Sequence, residues 1–579
     1  MRRIAFVSFC VWVAGAHAAS SQVVVERNVA VRMRDGVVLR ADVYRPGDGQ
    51  SSPVLVMRTP YGKDRQGRRA KRLAGAGYIV AVQDVRGRYA SEGTWQSFMR
   101  HHTQDGEDGY DTVQWASGLP GSTGKVGTYG ASYNAFVQWR LAAEGPPALA
   151  AMAAFSIPAR YTDLEGPGTI RPGRRLQWWI RTMSTDVRRR SGRALSEADK
   201  KLLDGGRDHW LWFLPWLDLP QAAFEHETPH VHRWLKHPHE DPWKLHEGCK
   251  KIRVPVLDIV GWHDHCNGDM LLWRTMVKEA KTEVARKGSR IIIGPWSHAG
   301  RGRRRYGKID FGPQAAMDCT AVQIRWFDYW LKGKQNGVDR DPPVKIFVMG
   351  DNTWRGERTW PLARTRDKIL YLTGKGRANT PSGDGQLVES PPRTVRGDRY
   401  VYDPRKPVPT LHGKGSFTIP VDQRPLATRQ DILVYQTKPL AKRIEVTGKP
   451  TVELYAASSA PDTDWFVRLI DVAPDGLARD VSQGQIRARY RHGLDKPALL
   501  DPGKVVKYTI SMNATSNAFL PGHRIRVDIT SSDFPNYDRN HNTAANQNAD
   551  AELRTAEQTV FHGGDRPTRV ILPQVPDQP

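Results

Sequence analysis

At 579 residues the chain is long enough for two or three domains and a sizeable core. It is 39% hydrophobic and 25% charged, the proportions of an ordinary globular protein, and its four cysteines exclude a disulfide scaffold and lack metal-type spacing. The formal net charge of +25 invites a nucleic-acid reading, but no nucleic-acid motif accompanies it. It is read as a basic surface suited to a negatively charged envelope or to acidic substrates, with no nucleic-acid partner.

Arg2 and Arg3 precede a short apolar run from Ile4 to Ala14, and Ala16-His17-Ala18 offers a small-residue cleavage site. This pattern predicts a signal peptide over residues 1–18, a mature start at Ala19 and export to the periplasm or the medium. The run is shorter than the roughly 20 apolar residues of a membrane span, so no stable insertion is expected after cleavage. Cys10 leaves with the signal; Cys249, Cys266 and Cys319 remain, enough for one internal disulfide at most.

Residues 19–345 alternate strand-like and helix-like stretches. Strands are predicted at 54–57, 78–82, 125–129, 256–260 and 291–293, with helices at 64–76, 108–117, 268–287 and 314–333. That rhythm predicts a mostly parallel sheet covered on both faces. It lapses over about 165–250, where Trp178, Trp179, Trp210, Trp212, Trp216 and Trp234 are interleaved with Arg and Lys. This stretch is read as a helical cap inserted over the sheet. From 346 to 579 the hydrophobic period becomes two, as in Val506, Tyr508, Ile510 and in Ile525, Val527, Ile529. Segments 444–457 and 465–473 are strand-like too, and many short strands with few helices predict a β-sandwich.

The chemistry centres on Gly130-Ala131-Ser132-Tyr133-Asn134-Ala135, which follows a strand and opens a helix-compatible run. A nucleophilic serine needs a sharp strand-to-helix turn that lifts its hydroxyl above the sheet, and small neighbours let the backbone make that turn. The N–H of the next residue, Tyr133, then faces a developing oxyanion. The simple Gly-x-Ser-x-Gly pattern is incomplete, because Asn134 holds its last position. Asp264 in Gly261-Trp262-His263-Asp264 and His298 in Gly294-Pro295-Trp296-Ser297-His298 each follow a predicted strand. Serine, then acid, then histidine is the chain order of an α/β-hydrolase triad, and functional residues of such sheets lie beyond the carboxyl ends of strands. Ser132, Asp264 and His298 are therefore the candidate catalytic residues.

These segments resemble the cocaine esterase / X-Pro dipeptidyl-peptidase family of serine hydrolases. The resemblance extends to Arg58-Thr59-Pro60-Tyr61, Gln83-Asp84-Val85-Arg86-Gly87, Tyr110-Asp111-Thr112-Val113-Gln114-Trp115, Phe466-Val467-Arg468-Leu469-Ile470-Asp471-Val472 and Ile486-Arg487-Ala488-Arg489-Tyr490-Arg491. It implies an α/β-hydrolase core, a helical cap and a C-terminal jelly-roll β-sandwich. It further implies an oxyanion hole of two donors, the Tyr133 backbone N–H and the Tyr61 phenol, and a reaction needing no metal or organic cofactor. Asp84 and Arg86 are expected to pair and fix their loop.

The family's substrates are small-molecule esters, amides and X-Pro peptides. Its α-amino-acid ester hydrolases hold the substrate amine with a carboxylate cluster, whose positions here are Asn134, Ala135, Cys266 and Asn267. Asp269 could replace that cluster only from another direction. Arg301, Arg303, Arg304 and Arg305 form either a solvated loop or a preference for a carboxylate-bearing substrate. The expectation is an ester hydrolase with possible amide activity. The alternatives are an X-Pro dipeptidyl-peptidase and, from another class, an inactive binding protein on the same fold.

Overall fold

The computed structural model describes residues 22–95, 103–165, 169–171, 173–178, 186, 190, 192, 197, 210–219, 232–233, 235–237, 239–240, 243–412 and 419–576. The predicted signal segment, Trp179 and Trp234 lie outside the described residues. Among the described residues, no helix is long and apolar enough to cross a membrane.

The first half is built on β1 (Val24–Arg32), β2 (Val38–Arg45), β3 (Ser52–Thr59), β4 (Ile79–Asp84), β5 (Ser122–Ala131), β6 (Leu149–Phe155), β7 (Val256–Gly261) and β8 (Arg290–Gly294). A small ribbon follows, β9 (Arg305–Tyr306) and β10 (Ile309–Asp310), and then β11 (Val344–Val348) and β12 (Thr353–Glu357). Apart from the ribbon, these strands form one sheet in the order β1-β2-β4-β3-β5-β6-β7-β8-β11-β12. The pairs from β4 through β11 are parallel, and the β1–β2, β2–β4 and β11–β12 pairs are antiparallel. The central strands are buried along nearly their whole length, as a sheet covered on both faces requires. Helices α1 (Gly67–Ala74), α2 (Thr103–Ser117) and α3 (Tyr133–Glu144) connect them.

Several expectations shift in detail. The helix expected over 268–287 is two helices, Met270–Glu279 and Glu283–Gly288. Ala280 is extended, and the Thr282 hydroxyl accepts from the Ala285 N–H at 3.2 Å, so a new N-cap starts where a continuous period was read. The helix at 314–333 shortens to Cys319–Trp330, because the Asp318 carboxylate caps it through the Thr320 and Ala321 N–H groups. The sheet also runs on beyond residue 345, through β11 and β12. β12 is an edge strand whose residues are mostly exposed or half-buried, unlike the buried central strands of the same sheet.

The second half is a β-rich domain in which the described residues form thirteen strands, from Arg366–Thr373 to Arg569–Val575. Its predicted strands at 506–510 and 525–529 are Val506–Ser511 and Arg524–Thr530, and 444–457 splits into Ile444–Gly448 and Thr451–Ser458. The architecture is therefore an α/β-hydrolase core followed by a β-sandwich-type domain.

The two halves share one apolar core, which runs from Val260, Trp262 and Ile293 through Phe347 to Trp465 and Val527. Past the end of β11, the Met349 N–H donates to Ser516 O at 3.0 Å and Met349 O accepts from the Ala518 N–H at 2.7 Å. Beside this seam Arg355 of β12 makes a two-pronged contact with Glu445, at 2.6 and 2.8 Å, and Arg443 reaches the same carboxylate at 2.8 Å. Burial alone would raise the Glu445 pKa, but the two guanidinium groups and the Thr447 hydroxyl hold it down at about 2. A lowered folded-state pKa adds stability above the ordinary glutamate value and loses it as the pH falls through the folded value. Glu445→Gln should therefore cost about 2 kcal/mol at neutral pH. In thermal or denaturant unfolding, the gap between variant and wild type should close as the pH falls from 4.5 toward 2. A gap that stays constant across that range would remove Glu445 from the seam's pH dependence.

Candidate active site

Ser132 sits between the end of β5 and the first residue of α3. Its backbone adopts φ 60° and ψ −126°, a conformation that costs a non-glycine residue about 1–3 kcal/mol. The surroundings enforce it: the Ser132 N–H donates to Phe155 O of β6 at 2.9 Å, and its carbonyl accepts from Ala135 and Phe136. Gly130 makes the turn possible, since a Cβ there would stand 2.5 Å from the Asn134 Cβ. The missing glycine at 134 thus leaves the turn intact, because the close approach is met from the Gly130 side. The Ser132 hydroxyl is not spent on capping α3. The first N–H groups of a helix have no partner within it, which places the Tyr133 N–H beside the serine among candidate donors. The Tyr133 ring is core, fully buried against Trp95 and Phe136.

Asp264 and His298 follow β7 and β8, neighbouring parallel strands. Beyond the strand ends the two loops stay zipped together: Trp262 N–H donates to Gly294 O at 2.8 Å, and His263 N–H to Trp296 O at 3.0 Å. Gly261 permits this, because a Cβ there would lie 1.9 Å from Trp296 O. The result is a buried contact between His298 Nδ1 and Asp264 Oδ1 at 2.9 Å. The same oxygen accepts from the Cys266 N–H at 2.8 Å. Burial would raise the Asp264 pKa, yet the facing His298, Arg301 and the Cys266 N–H hold it below the usual carboxylate range. It stays ionised and suited to orienting an imidazole and stabilising its charged form.

Tyr61 follows β3, and the side chains of Ser132 and Trp178 neighbour its phenol. Burial raises its pKa above the ordinary phenol value, so it remains an O–H donor at neutral pH. Trp178 ends the helix Gly173–Trp178, packs on Trp95 at 6.5 Å and lies under the Arg175 guanidinium at 4.1 Å. That helix is tied to the second half of the chain, with Gly173 N–H donating to Asn536 O at 2.9 Å and Arg174 to Asn536 Oδ1 at 3.1 Å. Of the other tryptophans expected over the site, Trp210 is buried against Phe213, and Trp212 stacks on Phe534 and Arg539.

The basic run after His298 divides. Arg304 and Arg305 pair with Asp310 on the exposed ribbon, as a solvated loop would. Arg301 turns inward, donates to Ser156 Oγ at 3.0 Å and to His298 O, and lies 3.9 Å from Asp264 Oδ2. Asp84 and Arg86 do not pair with each other, contrary to expectation. Asp84 accepts from the Lys63 and Ala90 N–H groups, while Arg86 clamps Asp108 and Asp35. Backbone donors reach the Asp84 carboxylate first, since the chain turns between it and Arg86. Asp269 cannot supply the missing amine-binding carboxylate: it is fully buried, and burial drives its pKa well up, beside Asp258 and Asp264.

His265 was not foreseen. Its ring lies 4.3 Å from that of His298, centroid to centroid. Burial and the nearby His298, Arg174, Arg175 and Arg301 push its pKa well down, so it is neutral. It also lines a cleft of about 370 Å³ between the two halves, with Arg160, Asp163, Lys449 and Tyr537 among the walls. The three cysteines Cys249, Cys266 and Cys319 are free thiols.

The comparisons with known proteins agree with this layout. Residues 35–300 match the X-Pro dipeptidyl-peptidase (S15 family), and residues 336–571 match the X-Pro dipeptidyl-peptidase C-terminal non-catalytic domain. The chain is 36% identical to the cocaine esterase of Rhodococcus sp. (strain MB1 Bresler), over 95% of this chain and 98% of that protein. Among solved structures, it is similar to an α-amino acid ester hydrolase, with 25% identity and a TM-score of 0.80 over 97% of this chain and 98% of that one. It is also similar to an aminopeptidase from a marine sediment archaeon, Thaumarchaeota archaeon, with 26% identity and a TM-score of 0.78 over 96% and 97%. The chain belongs to the cocaine esterase / X-Pro dipeptidyl-peptidase family of α/β-hydrolases.

Proposed function

We propose that this protein is a serine hydrolase that cleaves carboxylic esters of small molecules through an acyl-enzyme, with Ser132, Asp264 and His298 as its triad. The observation that carries this reading is the buried 2.9 Å contact of Asp264 with His298, taken together with the strained strand-to-helix turn at Ser132 and the neighbouring Tyr61 phenol. His298 takes the proton of Ser132 as its oxygen bonds to the substrate carbonyl carbon. The tetrahedral oxyanion is held by the Tyr61 hydroxyl and the Tyr133 N–H. The carbon–oxygen bond to the leaving group then breaks, and that alcohol takes the proton from His298. Water, deprotonated by His298, releases the acid and restores Ser132. The names of the relatives support an ester substrate. The signal-like segment supports work outside the cytoplasm.

A second reading, X-Pro peptide cleavage, is favoured by the S15 match and by Asp163, a carboxylate on the cleft that could hold a free amine. Parallel assays with a p-nitrophenyl ester and an Ala-Pro chromogenic amide separate the two. The ester should be turned over faster; a preference for the amide would reverse the order of the readings.

Fluorophosphonate should label the protein at Ser132, and Ser132→Ala, Asp264→Asn and His298→Ala should each lower kcat by about 10⁴ or more with the fold retained. Wild-type turnover by a folded Ser132→Ala protein would end the triad assignment. Tyr61→Phe keeps the ring and removes one donor to the oxyanion, so it should cost about 10²–10³, chiefly in kcat rather than KM. A loss within about twofold, under roughly 0.5 kcal/mol, would reduce Tyr61 to a packing residue.

A further inference from the structure

Asp264 is followed directly by His265 and Cys266. The loop folds back so that the Cys266 N–H meets the Asp264 carboxylate, and the His265 ring lies against His298. One ligand-type atom from each of Asp264, His265, Cys266 and His298 comes within 4.8 Å of all the others. One carboxylate, two imidazoles and one thiol make a donor set suited to Zn²⁺ and ions of similar softness. Bonds of about 2.0–2.3 Å in a tetrahedral zinc site put neighbouring ligand atoms roughly 3.3–3.8 Å apart. Closing by about 1 Å would therefore complete the shell.

The charges balance. A thiolate and a carboxylate offset a dication, with Arg301, 3.9 Å from Asp264 Oδ2, and Arg174 and Arg175 as the nearby opposing charges. An approach exists as well, since His265 lines the cleft between the two halves of the chain. The cysteine spacing hid this site, because three of its ligands are consecutive and the fourth comes from another strand end.

We propose that Asp264, His265, Cys266 and His298 form a zinc-type divalent metal site, and that an ion bound there switches hydrolysis off reversibly. The ion occupies the acid and base that Ser132 needs for proton transfer. The switch rests on the hydrolase reading above; metal capture by itself does not.

Full-length protein titrated with Co²⁺ should bind one equivalent and show a thiolate-to-metal absorption band. The band should vanish in Cys266→Ala, persist in Cys319→Ala, and persist in Ser132→Ala, which removes the nucleophile and no ligand. His265→Ala should weaken binding by about tenfold or more. Circular dichroism confirms that each variant is folded, and His265→Ala carries the test if Cys266→Ala is not. In the ester assay, Zn²⁺ should inhibit wild type and a chelator should restore it. The half-inhibiting Zn²⁺ concentration, each variant measured against its own metal-free rate, should rise by about tenfold or more in Cys266→Ala and His265→Ala. Absence of the band, or its survival in Cys266→Ala, overturns the site; equal inhibition of wild type and both variants overturns the switch. Metal binding as described in a protein that hydrolyses no ester keeps the site and refutes the proposed function instead.

Discussion

Much of the chemistry proposed for this fold hangs on one backbone conformation, the positive φ of Ser132. A serine does not hold that geometry unaided, and here three elements over-determine it. β5 delivers the residue, the β6 carbonyl of Phe155 anchors its N–H, and the first turn of α3 uses its carbonyl. Because the strain is carried by buried sheet and helix, the side chain is freed from capping, with the Tyr61 phenol as its neighbour. Loosening the turn would release about 1–3 kcal/mol of strain and lose that aim at once.

The proposed acid and base are held by a different device. Two parallel neighbours, β7 and β8, end together, and their loops continue the sheet's hydrogen bonding for two more residues. The Asp264–His298 contact is thus an extension of the ladder rather than a chance meeting of loops, and both side chains are buried, where such a contact is strong. That setting also collects His265, Cys266, Arg301, Asp258 and Asp269, so the polar groups around the candidate triad outnumber those the proposed hydrolysis uses.

The β-rich half takes part in the candidate site without supplying any of the three proposed triad residues. It shares its core with the sheet, locks Arg355 through Glu445, and holds the helix that presents Trp178 and Arg175 to Tyr61. The segment after β6 has little regular structure among its described residues, so its position near Ser132 depends on the loop around Asn536 and Asp538. The roof of the site is therefore set by residues more than 350 positions away from it in sequence, such as Asn536 beside Arg174.

The sequence by itself determined the layers and the order of the candidate triad. Strand–helix alternation marks a covered parallel sheet, period two marks the β-rich half, and Ser132, Asp264 and His298 each follow a strand, because local periodicity and turn chemistry are written in neighbouring residues. The Tyr133 N–H was legible from the strand-to-helix turn at Ser132, whereas Tyr61 was legible only through the family resemblance. Tertiary structure alone decided what depends on contacts between distant segments. It paired Arg86 with Asp108 rather than Asp84, turned Arg301 inward while its neighbours stayed in solvent, carried the sheet past residue 345, and packed His265 and Cys266 against His298. A side chain's partner is fixed by which strands lie side by side, and no local pattern along the chain encodes that.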